Sequence, residues 1–375
     1  MDWRGGEGEY PVAMDMTGFS GSLVLTGGGT GGHYFPAVAL GEGAQGRWPG
    51  RPIVFVGAQR GIEARLLPRS PWPHLLMDVE GFAGRSPWRA ARSAWKLLLA
   101  WRRLTAAWRR HRPWAVLGTG GYGAAPALLA ARTLGIPYFL HESNAQPGLL
   151  VQRLAPGAAG VWCGMEAVRA RLPRARCVSA GTPVRSGFLR AFTPLDQLGP
   201  PRRLLVLGGS GGARALNAAV LAIAPALLER FPQWEILHQA GAGGFRAITA
   251  RDRPRHPRHR LVPFLEAMDR ELEAASLVLT RSGASTCAEL KACGRPALMV
   301  PMPGSAGGHQ AMNARAMVQE GRGILLDQGP GLGDDLLREL ARLMGDPERL
   351  AALARPEPNQ AVDRCLEDLQ TVMNR

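Results

Sequence analysis

Lysine is nearly missing from this 375-residue chain: Lys96 and Lys291 are the only two among 45 basic residues. Acidic residues number 30, so the formal net charge of +15 is carried almost wholly by arginine. Such an excess fits an anionic partner (nucleic acid, acidic lipid or a phosphorylated substrate) or a general preference for arginine, and charge alone does not choose. Cysteine is scarce as well. Cys163, Cys177, Cys287, Cys293 and Cys365 make an odd count with no Cys-x-x-Cys. That argues against a disulfide framework or a structural zinc site and points to a reducing cytoplasm. Long apolar runs are absent too. The uncharged stretch Ala115 to Ala131 holds four glycines and a proline, too short and too broken for a membrane span. Residues 1–20 lack an apolar core, so no signal peptide is expected.

What remains is ordinary for a globular protein: 46% hydrophobic and 20% charged residues, which excludes general disorder. The length predicts two domains. The apolar run Leu23–Thr26 leads into Gly27-Gly28-Gly29-Thr30-Gly31-Gly32, with a helical pattern from Pro36. The phrase recurs as Leu204–Leu207, then Gly208-Gly209-Ser210-Gly211-Gly212, then a helical run from Ala213 to Arg230. Further strands are expected at 53–56, 115–117, 138–140, 235–237, 277–280, 297–301 and 324–326. Helical stretches lie between most of them, which predicts an α/β fold of two Rossmann-like domains with parallel sheets. The proline-rich stretch 190–203 reads as the linker.

A glycine loop entering a helix suits a phosphate, because amides can approach closely and the helix dipole adds positive potential. Two tight turns with no ligand are the plain alternative. The second strand ends in Gly57-Ala58-Gln59 without an acid, which disfavours NAD, and no Gly-Lys-Ser/Thr is present. Gly118–Tyr122, His141–Gly148 and Gly181–Arg185 form further polar loops at strand ends, where open α/β sheets gather ligands. In Arg281–Glu289, Thr286 and Glu289 fit a capping box; Glu289 either caps its own helix or accepts hydrogen bonds from a ribose. His309 and Gln310, after Gly307-Gly308, either cap a helix or bond sugar hydroxyls.

Together the phrases GGGTGGHYFPAVA, GTGGYGAAP, HESNAQPG, GTPVR, LGGSGGARALN, RSGASTCAEL and GGHQAMNA resemble, in order and from about residue 22 to 320, the MurG family of peptidoglycan N-acetylglucosaminyltransferases. The resemblance implies a GT-B architecture, two Rossmann-like domains facing across a cleft. It implies inverting transfer of N-acetylglucosamine from UDP-N-acetylglucosamine to the 4-hydroxyl of the muramic acid of lipid I, giving lipid II and UDP. Residues 21–189 would then be an acceptor and membrane domain behind an extension, 1–20. Residues 204–350 would be the donor-nucleotide domain, and 351–375 a C-terminal helix with the option of packing back on the first domain. The family's donor contacts fall on Thr30, Gly31, Gly32, Asn144, Arg185, Ser210, Leu265, Ala284, Ser285, Thr286, Cys287, Ala288, Glu289 and Gln310. Ser210 would meet the diphosphate, Glu289 the ribose, Gln310 the sugar hydroxyls and Leu265 the uracil side. Gly29, His33, Gly121, Tyr122, His141 and Glu142 are expected at the acceptor or its pyrophosphate. Ser143, Thr182 and Gly211 depart from the family's usual Gln, Asn and Gln.

No Asp-x-Asp is present, so no metal or other cofactor is expected; leaving-group charge falls to amides, a helix N-terminus and Arg185. Imidazole in general titrates near neutrality, which makes His33, directly after the first loop, the first choice of base; binding the acceptor pyrophosphate or capping the helix is its alternative role. Residues 85–112 carry nine basic side chains, from Arg85 to Arg112, and no acid. Trp88, Arg89, Arg92, Trp95 and Lys96 are expected to dock the first domain on the anionic cytoplasmic leaflet, as a peripheral protein. The alternative is a solvated basic helix whose tryptophans pack inward. A GT-B enzyme acting on another lipid, a UDP-N-acetylglucosamine epimerase and a nucleic-acid-binding protein are rival readings. The absence of any nucleic-acid-binding motif counts against the last.

Overall fold

The protein is described here by a computed structural model covering residues 16–81, 86–190, 192–209, 211–249, 252–305 and 308–375. Arg85, Ser210 and Gly307 lie outside the described residues. The chain divides into two compact units: Met1–Arg185 with Gln360–Arg375, and Ser186–Asn359.

Among the described residues the first unit holds seven strands: β1 Leu23–Thr26, β2 Ile53–Ala58, β3 His74–Met77, β4 Ala115–Gly118, β5 Tyr138–Glu142, β6 Gly160–Cys163 and β7 Cys177–Ser179. All pair in parallel, in the order β3-β2-β1-β4-β5-β6-β7. Every residue of β1, β2 and β4 is buried. That is why these strands read as continuous apolar runs: helices cover both faces of a parallel sheet, leaving no wet face to demand alternation. The second unit holds β8 Arg202–Leu207, β9 Trp234–Gln239, β10 His259–Val262, β11 Leu277–Thr280, β12 Ala297–Met299 and β13 Gly323–Leu325. These are also parallel, in the order β10-β9-β8-β11-β12-β13. The strand order reverses beside β1 in one sheet and beside β8 in the other. Ligand sites form outside the carboxyl ends of strands at such reversals, and both glycine loops leave from there.

The expected α/β architecture of two Rossmann-like domains holds. β3, β6, β7 and β10 were not anticipated. Three of them, β3, β7 and β10, are edge strands of three or four residues carrying polar side chains, and β6 opens on a glycine. The helix Gly31–Arg47 starts five residues before the expected Pro36, which sits inside it. The division between the units falls at Arg185, ahead of the expected linker, and β8 already begins at Arg202, within it.

The last helix, Ala361–Met373, belongs to the first unit. Trp162 Nε1 donates to Asp368 at 2.9 Å, Arg176 pairs with the same carboxylate, and Arg47 Nε donates to Gln370 at 2.9 Å. A Cβ on Gly43 would fall 2.3 Å from Val362, so the glycine admits the helix to close packing.

Candidate active site

The first glycine loop is held by hydrogen bonds from two of its main-chain N–H groups and by close packing against a second loop. Gly29, at φ +89°, donates its N–H to both carboxylate oxygens of Glu63, at 2.9 and 2.8 Å. Gly28 N donates to Gly120 O at 3.4 Å. A Cβ on Gly121 would lie 2.0 Å from Gly28 O, so the two loops meet backbone to backbone and glycine is required there. The Tyr122 ring covers Gly29, and its hydroxyl donates to Arg60 O at 2.7 Å. Gly29, Gly121 and Tyr122 therefore build the walls of the loop.

Because the helix starts at Gly31, His33 lies in its first turn. Its Nδ1 is 2.8 Å from Thr119 O, while Thr119 Oγ1 donates to His33 O at 2.6 Å. A carbonyl only accepts, so Nδ1 carries the proton and Nε2 keeps a lone pair in the neutral ring. The half-buried imidazole is thereby fixed with one nitrogen ready to take a proton. Thr30 is exposed and its side chain makes no capping bond to the helix. Thr30, Gly31 and Gly32 thus sit at the positive end of the helix dipole. Arg185 belongs to the same unit, with its guanidinium 4.3 Å from the centroid of Phe35.

His141 and Glu142 differ from expectation. They lie within β5 rather than in the loop after it, and are 1% and 4% exposed. His141 Nε2 bonds Gly181 O at 2.9 Å, and burial drives the imidazole down to about 4, so it stays neutral. Glu142 accepts from Asn144 N at 2.9 Å, Asn144 Nδ2 at 3.2 Å and Gly148 N at 2.9 Å. Glu142 thus braces the 143–148 loop and fixes which way the half-buried Asn144 amide turns, while His141 ties β5 to Gly181.

In the second unit the loop after β8 meets the loop after β9. A Cβ on Gly241 would lie 2.4 Å from Gly212 N. Asn217, on the helix Arg214–Arg230, stitches both: its Nδ2 donates to Ala240 O at 2.9 Å, and its Oδ1 lies 3.1 Å from His238 Nε2. After β11, Arg281 donates to Val300 O at 2.8 Å, Pro301 O at 3.1 Å and Gln328 Oε1 at 2.7 Å. Ser282 Oγ donates to Gln310 O at 2.8 Å, and Gln310 Oε1 accepts from Met302 N at 2.9 Å. Gln310 is therefore anchored through its oxygen, leaving the amide nitrogen as its outward donor.

The capping box expected at Thr286 and Glu289 does not form. The helix runs Ala284–Cys293 behind Gly283, with no side-chain cap. Thr286 is already in its first turn, and Glu289 is buried in the next. Ala284, Thr286 and Ala288 are partly exposed, whereas Ser285, Cys287 and Leu265 are buried. Burial pushes the Cys287 thiol up to about 12, so it is an inert packing group. His309 opens the helix His309–Gln319, which follows Gly308 at φ +67° without a side-chain cap.

The basic segment forms the helix Pro87–Arg110, and its two faces divide the two sequence readings. Leu104 and Trp108 are wholly buried, and Trp101 Nε1 donates to Thr133 Oγ1 at 3.1 Å. Trp88 and Trp95, in contrast, are 87% and 60% exposed, beside Leu99 at 49%. Arg89, Arg92, Arg102 and Arg103 are exposed around them. Lys96 leaves the expected docking set, because its ammonium pairs with Asp78 at 2.8 Å and Glu80 at 2.7 Å.

Sequence reasoning missed Glu63, Asn217 and Arg281 as parts of the site. Asn217 and Arg281 stand inside the quoted phrases LGGSGGARALN and RSGASTCAEL. Glu63 follows no motif, and only the fold brings it beneath Gly29.

Two Rossmann-like domains, each with a glycine loop at its sheet reversal, are the architecture of GT-B glycosyltransferases. Residues 23–162 match the glycosyltransferase family 28 N-terminal domain, and residues 203–367 match the family 28 C-terminal domain. A UDP-N-acetylglucosamine–N-acetylmuramyl-(pentapeptide) pyrophosphoryl-undecaprenol N-acetylglucosamine transferase of Syntrophotalea carbinolica is 39% identical over 88% of this chain and 92% of its own. The same-named protein of Geobacter metallireducens is 35% identical, with equal coverage. The crystal structure of MurG from Acinetobacter baumannii superposes with a TM-score of 0.64 at 27% identity, covering 93% of this chain and 99% of that one. The glycotransferase of kitacinnamycin, at TM-score 0.65 but 16% identity, shares the fold alone. The chain belongs to glycosyltransferase family 28 and, within it, to the MurG family.

Proposed function

We propose that this protein transfers N-acetylglucosamine from UDP-N-acetylglucosamine to the 4-hydroxyl of the muramic acid of lipid I, with inversion, giving lipid II and UDP. The observation that carries this reading is the placement of the family's phrases. They fall at the carboxyl ends of β1, β4, β5, β8 and β11, the edge of each sheet where ligands collect. The acceptor oxygen forms a bond to the anomeric carbon as the bond from that carbon to the UDP oxygen breaks. His33 Nε2 receives the hydroxyl proton. The departing diphosphate is met by the second glycine loop with Ser210, by helix N-termini and by Arg185. Glu289 holds the ribose, backbone groups beside Leu265 face uracil, and the nitrogen of Gln310 reads sugar hydroxyls. No metal is assigned a role.

The protein acts as a peripheral enzyme on the cytoplasmic face of the cell membrane. Trp88 and Trp95 sit at the headgroup boundary, with Arg89 and Arg92 on anionic lipid. Nucleic acid is not a partner in this reading. Among the described residues no helix is long and apolar enough to cross a membrane.

The test is UDP release from UDP-N-acetylglucosamine with and without a lipid I analogue. Release that needs the analogue and yields the disaccharide supports the proposal. Release with a diacylglycerol acceptor alone would move the chain to another lipid substrate, and sugar epimerisation without acceptor would sink the transferase reading.

A further inference from the structure

Glu63 is fully buried at the start of the short helix that follows β2, and nothing in the mechanism above uses it. Its carboxylate takes both of its close hydrogen bonds from one main-chain group, Gly29 N, and a longer one of 3.3 Å from Ala58 N. Four glycines from three segments (the first glycine loop, β2 with the turn after it, and the stretch after β4) make room for it. A Cβ on Gly28 would stand 2.2 Å from Oε1, on Gly61 2.6 Å from Oε2, on Gly57 3.0 Å from Cγ and on Gly123 3.2 Å from Oε1. Enclosing a carboxylate in this way is costly, because ions lose hydration when buried. An apolar side chain of the same size would fill the space at lower cost but could not accept the Gly29 N–H.

The structure therefore points to a device rather than a filler. Below the loop, Glu63 grips Gly29; above it, Tyr122 closes on the same residue; and His33 follows one helical turn later, with its N–H on Thr30 O at 3.2 Å. We propose that Glu63 is a positioning residue for the transfer reaction, fixing the first glycine loop at Gly29 so that His33 holds its place at the acceptor. This rests on the reading that Gly29 and His33 serve the acceptor.

The experiment compares Glu63→Gln, His33→Ala and the double variant, each with its melting temperature and the kinetic constants for both substrates. The amide of Glu63→Gln keeps the volume and one accepting oxygen, but replaces the second oxygen beside Gly29 N–H by an NH2 that only donates. Loop misplacement on this scale predicts kcat lower by roughly 10- to 100-fold and a raised acceptor KM. The KM for UDP-N-acetylglucosamine, which the second unit's contacts share with Thr30, Gly31 and Gly32, should rise less than that for the acceptor, and the double variant should be no slower than His33→Ala alone. A residue needed only for folding would lower the melting temperature and add its loss to that of His33→Ala; additive losses therefore overturn the proposal. Glu63→Gln at full activity beside an impaired His33→Ala overturns the proposal alone. His33→Ala at full activity removes the acceptor reading and the proposal with it. If Glu63→Gln does not fold, Gly28→Ala displaces the same carboxylate without deleting a polar group and must show the same split between acceptor KM and donor KM.

Discussion

At the scale of single residues, the acid–base question reduces to one tautomer. Thr119 O consumes the Nδ1 proton of His33, so the proton-accepting atom is Nε2. Replacing His33 by Ala removes it, and turnover should fall about 100-fold or more with the chain still folded. A loss confined to acceptor KM would instead assign His33 to acceptor binding. Residue placements were partly legible in the sequence. His33 and Gln310 stood in recognisable phrases, and both lie in the first turn of a helix that follows a glycine-rich stretch. His141 and Glu142 stood in one too, but β5 runs on through them and buries both. A strand's end is set by its neighbours in the sheet, which a local phrase does not contain.

At the scale of the element, the helix Pro87–Arg110 serves two surfaces. Its inner stripe buries Leu104 and Trp108, each contributing roughly 2–3 kcal/mol by removing apolar surface from water. Trp88, Trp95 and Leu99 stay outside among arginines, an arrangement suited to headgroups. Reversing the charge at Arg89 and Arg92 should weaken binding to vesicles containing anionic lipid by about 1 kcal/mol per charge or more. Turnover of a short-chain, water-soluble acceptor should be unchanged. Unaltered sedimentation with such vesicles would rule out docking through this face. The heptad spacing of Trp88, Trp95, Arg102 and Arg109 was visible in the sequence. Which tryptophans face outward was not, because that depends on where the neighbouring helix Ala125–Leu134 lies. Lys96 shows the same limit: its role changed once β3 and the residues after it brought Asp78 and Glu80 alongside.

At the scale of the whole molecule, two buried imidazoles tie the second unit to pH. The rings of His238 and His259 stack 5.7 Å apart. Burial first, then the charge of a neighbouring histidine, holds His238 down at about 3 and His259 at about 4. Both are neutral when folded, whereas an unfolded histidine gains its proton near pH 6.5. Below that value the unfolded chain binds more protons, so the stability present above pH 6.5 is lost as the pH falls towards 4. The melting temperature should drop by about 5–10 °C between pH 7 and 4.5. A His259→Gln variant should show a shallower slope, and an identical slope would mean that other groups set the acid sensitivity.

The amino-acid sequence by itself determined the paired strand–glycine-loop–helix units, their parallel α/β class and the family. An apolar run, a glycine loop and a helix start are specified by residues adjacent in the chain. Only the tertiary structure decided what holds those loops in place. Glu63 reaches Gly29 across 34 positions, Asn217 reaches His238 across 21, and Asp368 returns to Trp162 across 206. Such partners carry no local signal, because a buried hydrogen bond is chosen by packing in space and not by distance along the chain.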